Sequence, residues 1–279
     1  MGQSDISEKL LEDYSDVFAD IVNVLLFHGH WRVKADSLEE AKHLSQYKAD
    51  DGKLHEQERD VVKYWRDGNI NLAIYGLENQ TVVDGQMPVR IFGYEGANYR
   101  SQYGNEYISP VVTIVLYFGT SKRWDKPIEL KDIMSIPDEL QPFVNNCRAN
   151  VIDIAWLPDE QIEQFCSDFG IVARFFSSKR KNPTYVSDDK RFFTHTDAVL
   201  KFLHVMIGDS EYEKLLNNSH FKKEGASMCS VAQSLKAMGR EEERLSAILR
   251  MIEKDFDKEV ILSLGYSETE YEQAERQKQ

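Results

Sequence analysis

The sequence predicts an α/β fold followed by a mainly helical C-terminal region. Apolar residues on one helical face predict an amphipathic helix, whereas period-two alternation predicts half-buried strands. A continuous β-branched and aromatic run predicts a strand that is buried on both faces. The chain shows these patterns in the order α-β-β-α-β: helical spacing from Tyr14 to Leu25, alternation over 59–66 and 71–80, helical spacing after Pro88, and an apolar run over 111–118.

The first helix is expected to run from Asp5 to about Phe27. Asp5 and Glu8 have the spacing of a capping box, which satisfies the first free N–H groups of a helix. Residues 28–57 are polar and aperiodic. They predict an irregular connection with a turn of helix over Leu38 to His43.

Residues 59–80 are expected to form a hairpin that turns at Asp67-Gly68. A two-residue loop would pair residue 66 with residue 69 and place the even positions of the two strands on opposite faces. A three-residue loop over Asp67-Gly68-Asn69 pairs residue 66 with residue 70 instead. We predict this longer loop, because it brings the even positions of both strands onto one face.

Asp60 and Glu78 are then brought together near the end of the hairpin. Asp60 lies opposite Gly76 and diagonal to Glu78, with the two α-carbons about 7–8 Å apart. Two carboxylates at that distance can hold one Mg²⁺ ion, which activates water and compensates charge in phosphodiester hydrolysis. Gln80 on the same face can orient water but carries no charge. Taken alone, two acids and a glutamine on adjacent strands are more often a solvated sheet edge.

The later elements follow from proline positions and apolar spacing. A helix from Pro88 to about Tyr103 precedes the apolar run, and Asn182-Pro183 predicts a break between helices. Further elements are expected at these positions: a strand over 151–156, a helix from Pro158, helices over 198–206, 227–238 and 241–256, and a short last helix opened by Ser267 and Glu270.

The length and composition predict two domains. With 279 residues and 42% hydrophobic residues the chain can bury a sizeable core. We place the domains at residues 1–175 and 176–279. The Leu, Ile and Met positions of the C-terminal helices suit packing within the chain or a homodimer.

No membrane partner and a cytoplasmic location are expected. The longest apolar stretches, over 22–27 and 111–118, are far shorter than the roughly 20 residues of a membrane span. The N-terminus lacks the basic start and apolar run of a secretory signal. Cys147, Cys166 and Cys229 are scattered and odd in number, which favours a reducing compartment.

The charge argues against nucleic-acid binding by bulk electrostatics. The formal charge is −13, and residues 1–130 and 131–279 are both acidic. Because lysine and arginine supply most non-specific affinity for phosphates, any DNA contact requires a focused basic patch. The candidates, each of which also fits a solvated surface, are Arg90, Arg100, Lys122-Arg123, Lys179-Arg180-Lys181 and Lys190-Arg191.

Several ordered segments resemble one nuclease family. They are Glu58-Arg59-Asp60-Val61-Val62, Leu77-Glu78-Asn79-Gln80, Met87-Pro88-Val89-Arg90 with Gly93-Tyr94 and Tyr99, and Pro110 to Gly119. Together they resemble the recombination-promoting nuclease/putative transposase (Rpn, or YhgA-like) family of the PD-(D/E)XK nuclease superfamily. The resemblance covers roughly residues 10–175. It implies a restriction-endonuclease-like αβββαβ core and cleavage of DNA with Mg²⁺ or Mn²⁺ in mobile-element or recombination processes.

The resemblance also assigns roles to the acids of the hairpin. Asp60 and Glu78 correspond to the metal ligands, and Gln80 corresponds to the catalytic lysine of the superfamily. The family itself commonly has glutamine at this position. Arg59 stands where the superfamily has proline.

Two further sets of residues are predicted, one from the superfamily pattern and one from the spacing of Arg90 and Tyr94 on one helical face. The superfamily often adds an acid from the first helix. Asp13, Asp16 and Asp20 lie on the polar arc of that helix; Asp20 lies near the border with the apolar arc and is the one we predict, and the alternative for all three is a solvated outer face. Three residues are predicted to contact DNA, namely Arg90, Tyr94 and Arg100; an ion pair for Arg90 and core packing for Tyr94 are the alternatives.

The sequence therefore predicts a metal-dependent DNA endonuclease, with a catalytically inactive nuclease-fold module for DNA or protein binding as the alternative. No glycine-rich phosphate loop and no Gly-x-Ser-x-Gly motif is present, which excludes nucleoside-triphosphate hydrolysis by a P-loop and α/β-hydrolase chemistry.

Overall fold

A computed structural model describes most of the chain, as two compact units. The described residues are 10–41, 44–48, 54–58, 60–68, 70–216, 221 and 225–277. The sheet unit comprises the described residues up to Tyr185 together with Phe193–Gly208. The helical unit comprises Val186–Phe192 and the described residues from Asp209 onward. The predicted boundary after residue 175 falls inside a helix of the sheet unit.

The sheet unit is a mixed α/β structure, as the sequence predicts. Its strands are β1 (Leu38–Glu40), β2 (Leu44–Lys48), β3 (Leu54–Glu58), β4 (Val61–Asp67), β5 (Ile70–Gln80), β6 (Val111–Tyr117) and β7 (Asn150–Asp153). Its helices are α1 (Ser15–Phe27), α2 (Met87–Ser101), α3 (Asp159–Ile162), α4 (Asp168–Lys181) and α5 (Thr196–Ile207). Short 3-10 turns add to these, among them one at Leu11–Asp13.

Five strands form one mixed sheet in the order β1-β4-β5-β6-β7. β1 and β5 both pair antiparallel with β4, whereas β6 pairs parallel with β5 and β7 parallel with β6. β2 and β3 form a separate antiparallel pair. The carboxyl ends of β5, β6 and β7 therefore lie at one edge of the sheet.

Helices cover both faces of the sheet. On one face, Val115 of β6 packs in a buried cluster with Met87, Ile91 and Tyr94 of α2. On the other, the Phe118 ring packs against phenylalanine rings of α4 and α5, namely Phe169, Phe176 and Phe202. Glu78 pairs with Val115 in register, so its side chain shares the α2 face.

The β4–β5 hairpin differs from the prediction in its loop but not in its parity. Asp67 pairs with Ile70, so the connection is a two-residue loop rather than the three-residue loop; Asn69 itself lies outside the described residues. Gly68 has a positive φ of 57°, as such tight loops require. A bulge restores the parity, because Trp65 pairs with Ala73 and Arg66 with Asn71. Because β5 has one extra residue at the bulge, even-numbered residues of β4 pair with even-numbered residues of β5 between the bulge and the start of β4.

Two expectations for the first 60 residues are wrong. α1 begins at Ser15 rather than Asp5, because Tyr14 is extended and separates it from the 3-10 turn; residues 1–9 lie outside the described part. The segment 28–57 is not an irregular connection: residues 38–40 form strand β1 rather than a turn of helix and pair with residues 63–65 of β4, and β2 pairs with β3. A three-residue strand is too short to show alternation, so its pairing partner decides its conformation.

The helical unit contains α6 (Glu211–Leu215), α7 (Met228–Glu253), α8 (Lys258–Ser263) and α9 (Glu268–Gln277). The two helices predicted over 227–256 are one continuous helix, α7. The capping box of Ser267 and Glu270 is confirmed, since the backbone N–H of each residue donates to the side chain of the other. Apolar residues of α7, α8 and α9 form a buried cluster within this unit: Leu245, Ile248, Ile261 and Ala274.

Among the described helices of both units, none is both long enough and apolar enough to cross a membrane.

Candidate functional site

The register of β4 and β5 brings Asp60 level with Glu78. Val61 pairs with Leu77, so Asp60, the residue before it, stands beside Glu78 rather than Gly76. One carboxylate oxygen of Asp60, Oδ2, accepts a hydrogen bond from the backbone N–H of Asn79 at 2.6 Å. Asp60 is therefore held against the β5 backbone between Glu78 and Gln80.

Glu78 lies at the centre of a hydrogen-bonded group. Its residue exposure is only 2%. Gln80 Nε2 donates to Glu78 Oε1 at 3.2 Å, and Arg90 Nη2 donates to the same oxygen. The predicted neighbours Glu78 and Gln80 thus touch each other, as expected for residues two apart on a strand.

Arg90 brings a positive charge from the first turn of α2 to this group. Besides Glu78, its guanidinium donates to Asp84 Oδ2 at 3.4 Å and to the Tyr94 hydroxyl at 3.3 Å. Both alternatives considered for this pair are present, because Arg90 forms an ion pair and Tyr94 is buried in the α2 cluster. Tyr94 is therefore not an exposed phosphate contact, whereas the Arg90 side chain remains partly exposed.

The hydroxyl group of Tyr94 is affected by the charges of both Glu78 and Asp60. Burial raises the pKa of the Tyr94 hydroxyl, and the negative charges of Glu78 and Asp60 raise it further. The hydrogen bond and the charge of Arg90 act in the opposite direction. The phenol therefore lies within the electrostatic reach of both predicted metal ligands.

A third acid, Glu12, joins the group from the 3-10 turn before α1. Its residue exposure is 0%. Neither of its carboxyl oxygens forms a well-aligned hydrogen bond within the described part of the chain. Burial raises the pKa of Glu12 to about 8, and the charge of Asp60 contributes to that rise, while weak hydrogen bonds from its own backbone and from the Asn79 side chain oppose it. At neutral pH Glu12 therefore mostly keeps its proton.

Sequence periodicity pointed away from Glu12 because of the break at Tyr14. On a helix that continues from residue 5 to residue 27, Glu12 lies outside the apolar arc. The extended backbone at Tyr14 ends that periodicity and leaves Leu11 and Glu12 fully buried. The sequence carries no local signal for this break. Helical periodicity therefore favoured Asp20 over Glu12.

Asp20, the acid predicted from helix one, has a different role. Its Oδ2 accepts hydrogen bonds from the backbone N–H groups of Cys166 at 2.9 Å and Ser167 at 2.8 Å. Ser167 is the N-cap residue of α4, so Asp20 joins α1 to the start of α4. The structure does not bring Asp20 to Asp60 and Glu78.

The other two helix-one acids are also engaged elsewhere. Asp13 Oδ2 accepts from the backbone N–H of Leu10 at 2.8 Å. Asp16 contacts His195 Nε2 at 3.0 Å, and the His195 ring stacks on Tyr14. These contacts assign both acids to local packing of the sheet unit.

Arg100, the third predicted DNA contact, lies away from the group. It is in the last turn of α2, ten residues after Arg90, which corresponds to about 15 Å along a helix. It is exposed, and its guanidinium lies 5.6 Å from the centre of the Tyr103 ring. Arg100 is therefore available to solvent but is not part of the same site.

The donor chemistry of the group fits a hard divalent cation. Mg²⁺ and Mn²⁺ prefer carboxylate oxygens, which Asp60 and Glu78 provide; the buried Glu12 adds a carboxyl group that is mostly protonated at neutral pH. In the described residues, however, no three His, Cys, Asp or Glu side chains are already spaced to hold a metal ion. Arg90 supplies the positive charge beside Glu78 in this arrangement.

Comparisons of the chain with protein-family models, with curated proteins and with solved structures found no match.

Proposed function

We propose that the chain is a metal-dependent DNA endonuclease that cleaves phosphodiester bonds in mobile-element or recombination processes. One observation carries the proposal: Asp60 and Glu78 stand level on adjacent strands, and the buried Glu12 lies within the electrostatic reach of Asp60. A buried acid without charge compensation lowers the stability of the fold. Such an acid therefore indicates a functional site. The assignment to DNA and to recombination rests on the resemblance of the sequence motifs.

The order of elements supports the same proposal. α1, β1, β4, β5, α2 and β6 follow one another as helix, three strands, helix and strand. β4 lies between β1 and β5 and is antiparallel to both, and β6 is parallel to β5. This order supports the proposal of an αβββαβ nuclease core, with the β2–β3 pair as an insertion.

Asp60 and Glu78 would hold the metal ion, and Glu12 offers a third carboxylate. A Mg²⁺ or Mn²⁺ ion would polarise the phosphate and lower the pKa of a bound water. Gln80 orients water through its amide, and Arg90 offers a donor for negative charge on the phosphate. These roles use the side chains that the structure brings together.

Plasmid nicking tests the proposal directly. Supercoiled DNA is incubated with Mg²⁺, Mn²⁺ or EDTA and with wild type, Asp60→Ala or Asp36→Ala. Asp36 is a matched control, since it is an exposed aspartate of the same unit. We expect nicking that needs the metal and falls on the order of 100-fold or more in Asp60→Ala, because metal ligands contribute several kcal/mol to transition-state stabilisation. Equal rates for Asp60→Ala and Asp36→Ala contradict the proposal.

A second candidate is a nuclease-fold module that binds DNA or protein without cleaving. The ion pair of Arg90 with Glu78 favours it, because an arginine that neutralises Glu78 removes the need for a cation there. The uncharged Gln80 points the same way. Undetectable nicking across metals and DNA forms, with DNA binding retained, would establish this second candidate.

A further inference from the structure

Three cations gather beyond the carboxyl ends of β6 and β7 in the sheet unit. We call Arg123, Lys179, Arg180 and the indole of Trp156 the sheet-end basic surface. The guanidinium carbons of Arg123 and Arg180 lie 5.2 and 4.5 Å from the centre of the Trp156 ring. Trp156 is itself anchored, since its Nε1 donates to the backbone oxygen of Gly119 at 3.3 Å. Residues distant in sequence thus form one patch.

In the part of the chain that the structure describes, the cations of this surface make no direct ion pair with a carboxylate, although Asp159, the partner of Lys181, lies within the electrostatic reach of Arg180. Arg180 Nε donates to the backbone oxygen of Ala155 at 2.8 Å, and Lys179 Nζ donates to that of Pro183 at 3.3 Å. Within the described residues, Arg123, Lys179 and Arg180 form no salt bridge. By contrast, the neighbouring Lys122 and Lys181 are paired with Asp125 and Asp159. In a chain of charge −13, two cations without a described carboxylate partner and a third that shares Asp159 with Lys181 favour an anionic partner at this place.

A cavity opens beside this surface. Its volume is about 400 Å³, within the roughly 300–1,000 Å³ range of ligand pockets. Phe118, Phe175 and Phe176 contribute apolar lining, and Thr81, Thr120 and Ser121 contribute hydroxyl groups. Lys179 also lines the cavity, so it belongs to both features.

The cavity adjoins the strand end that carries Gln80. Thr81 follows Gln80 directly in the chain. The backbone N–H of Phe118 donates to the backbone oxygen of Gln80 at 2.8 Å. A ligand in the cavity therefore lies at the carboxyl end of β5, on the α4–α5 side of the sheet, whereas the Glu78 side chain lies on the α2 side of the same strand.

We propose that the sheet-end basic surface and its cavity hold a single-stranded segment of DNA, with phosphates on the cations and one unstacked base in the cavity. Positive side chains beside an apolar, partly aromatic pocket are the combination that single strands use. A base inside a duplex cannot enter such a pocket until it leaves the stack. The inference rests on the proposed function, since it assigns the substrate of that site to unpaired DNA.

DNA binding measured in EDTA, which removes the metal ions that cleavage would need, tests the role of Arg123 and Lys179. Fluorescence anisotropy is measured with a labelled 20-nucleotide single strand and its duplex. The double variant Arg123→Gln/Lys179→Gln is compared with Arg148→Gln/Lys131→Gln, a matched pair from the same unit in which Lys131 also contacts a backbone oxygen. We expect the first pair to weaken single-strand binding about tenfold or more and to reduce the salt slope by roughly 1.4, at about 0.7 per phosphate. The control pair should change affinity less than twofold.

Filling the cavity tests the unstacked base. Thr120→Trp adds a large side chain to the lining without changing charge. We expect it to reduce the preference for single strand over duplex about fivefold or more and to leave the salt slope unchanged. Circular dichroism confirms that the variant is folded, and Ile207→Trp, from another wall of the cavity, repeats the test independently.

Three results overturn the inference. One is equal single-strand binding by the two double variants, and another is a wild type that binds single strand no better than duplex. The third is binding of phosphatidylserine vesicles, sensitive to Arg123→Gln/Lys179→Gln, without binding of DNA.

Cleavage data separate this inference from the proposed function. Binding as expected without any nicking removes the nuclease proposal alone. Nicking that needs Asp60 but is unchanged in Arg123→Gln/Lys179→Gln removes the single-strand surface alone.

Discussion

Glutamate side chains of the sheet unit and of the helical unit differ in burial and in the direction in which their pKa values are shifted. In the sheet unit, Glu12 and Glu78 are almost completely buried, and burial raises the pKa of Glu12 to about 8. In the helical unit, Glu270 lies at the surface beside Arg244. Its hydrogen bond with that arginine, together with those from Ser267, lowers the pKa of Glu270 to about 2.

The difference favours the sheet unit as the place of the proposed site. Solvent-exposed ion pairs such as Glu270–Arg244 contribute little and are screened by salt. A buried acid whose neutral form is favoured lowers the stability of the folded state at neutral pH. Such an acid is therefore expected where a ligand or a reaction uses it. The following predictions test that contrast, from the largest expected effect to the smallest.

Replacing Glu12 should produce the largest change. Because the folded pKa is raised, folded Glu12 keeps its proton while unfolded Glu12 ionises, so its contribution to stability falls as pH rises from about 4.5 to about 8. At about 1.4 kcal/mol per pKa unit, the loss reaches at most about 5 kcal/mol. We expect Glu12→Gln to match wild type near pH 4.5 and to exceed it increasingly up to pH 8.

Urea unfolding from pH 4.5 to 8 measures this difference. Trp31, Trp65, Trp124 and Trp156 all belong to the sheet unit, so tryptophan fluorescence reports on that unit alone. A constant difference in unfolding free energy between Glu12→Gln and wild type at every pH would mean that Glu12 is not buried as a neutral acid.

Gln80 should contribute less, and only to cleavage. We expect the nicking rate to fall roughly tenfold or more in Gln80→Ala, the loss typical of one preorganised donor, and to be retained or increased in Gln80→Lys. The lysine adds a charge that stabilises the phosphate in the transition state. Folding should be unchanged in both variants. Equal nicking rates in wild type and Gln80→Ala would remove Gln80 from the mechanism.

Titration with Mg²⁺ or Mn²⁺ should stabilise the sheet unit modestly. At a cation concentration tenfold above the dissociation constant, we expect a rise of roughly 3–6 °C in the melting temperature of the tryptophan signal. Glu78→Gln should abolish the rise, whereas Glu270→Gln should leave it intact. A rise that survives in Glu78→Gln would place the cation elsewhere.

The smallest effect is expected for Glu270→Gln in the helical unit. Because the folded pKa of Glu270 is lowered, its contribution to stability is present above about pH 4.5 and is lost as pH falls towards 2. The pair is exposed, so the variant should lose little stability at pH 7, and high salt should remove the difference. Thermal unfolding followed by far-ultraviolet circular dichroism at low and high salt measures it; a loss that persists in high salt would contradict the contrast between the units.

Local patterns predicted much of the sheet unit. Pro88 and the run over 111–118 indicated α2 and β6 close to their observed bounds, because a proline at a helix start and a buried apolar strand are local features. The contact between Glu78 and Gln80 also follows from two-residue spacing on a strand.

The β4–β5 register shows where local patterns stop. The sequence indicated a turn at Gly68 but not the bulge between Trp65 and Arg66, which depends on how the strands pair along their length. Two departures, a shorter loop and one extra residue on β5, together preserved the predicted parity. They moved Asp60 from beside Gly76 to beside Glu78.

The sequence by itself determined the α/β class, the order of the main helices and strands, and the spacing that joins Glu78 to Gln80. Only the tertiary structure decided which acid of the N-terminal segment lies near them. Glu12 and Asp20 are chemically similar, yet the break at Tyr14 buries Glu12 beside Asp60, and the start of α4 gives Asp20 two backbone donors. The physical reason is that burial and hydrogen-bond partners set the role of a carboxylate, and both come from segments distant in sequence.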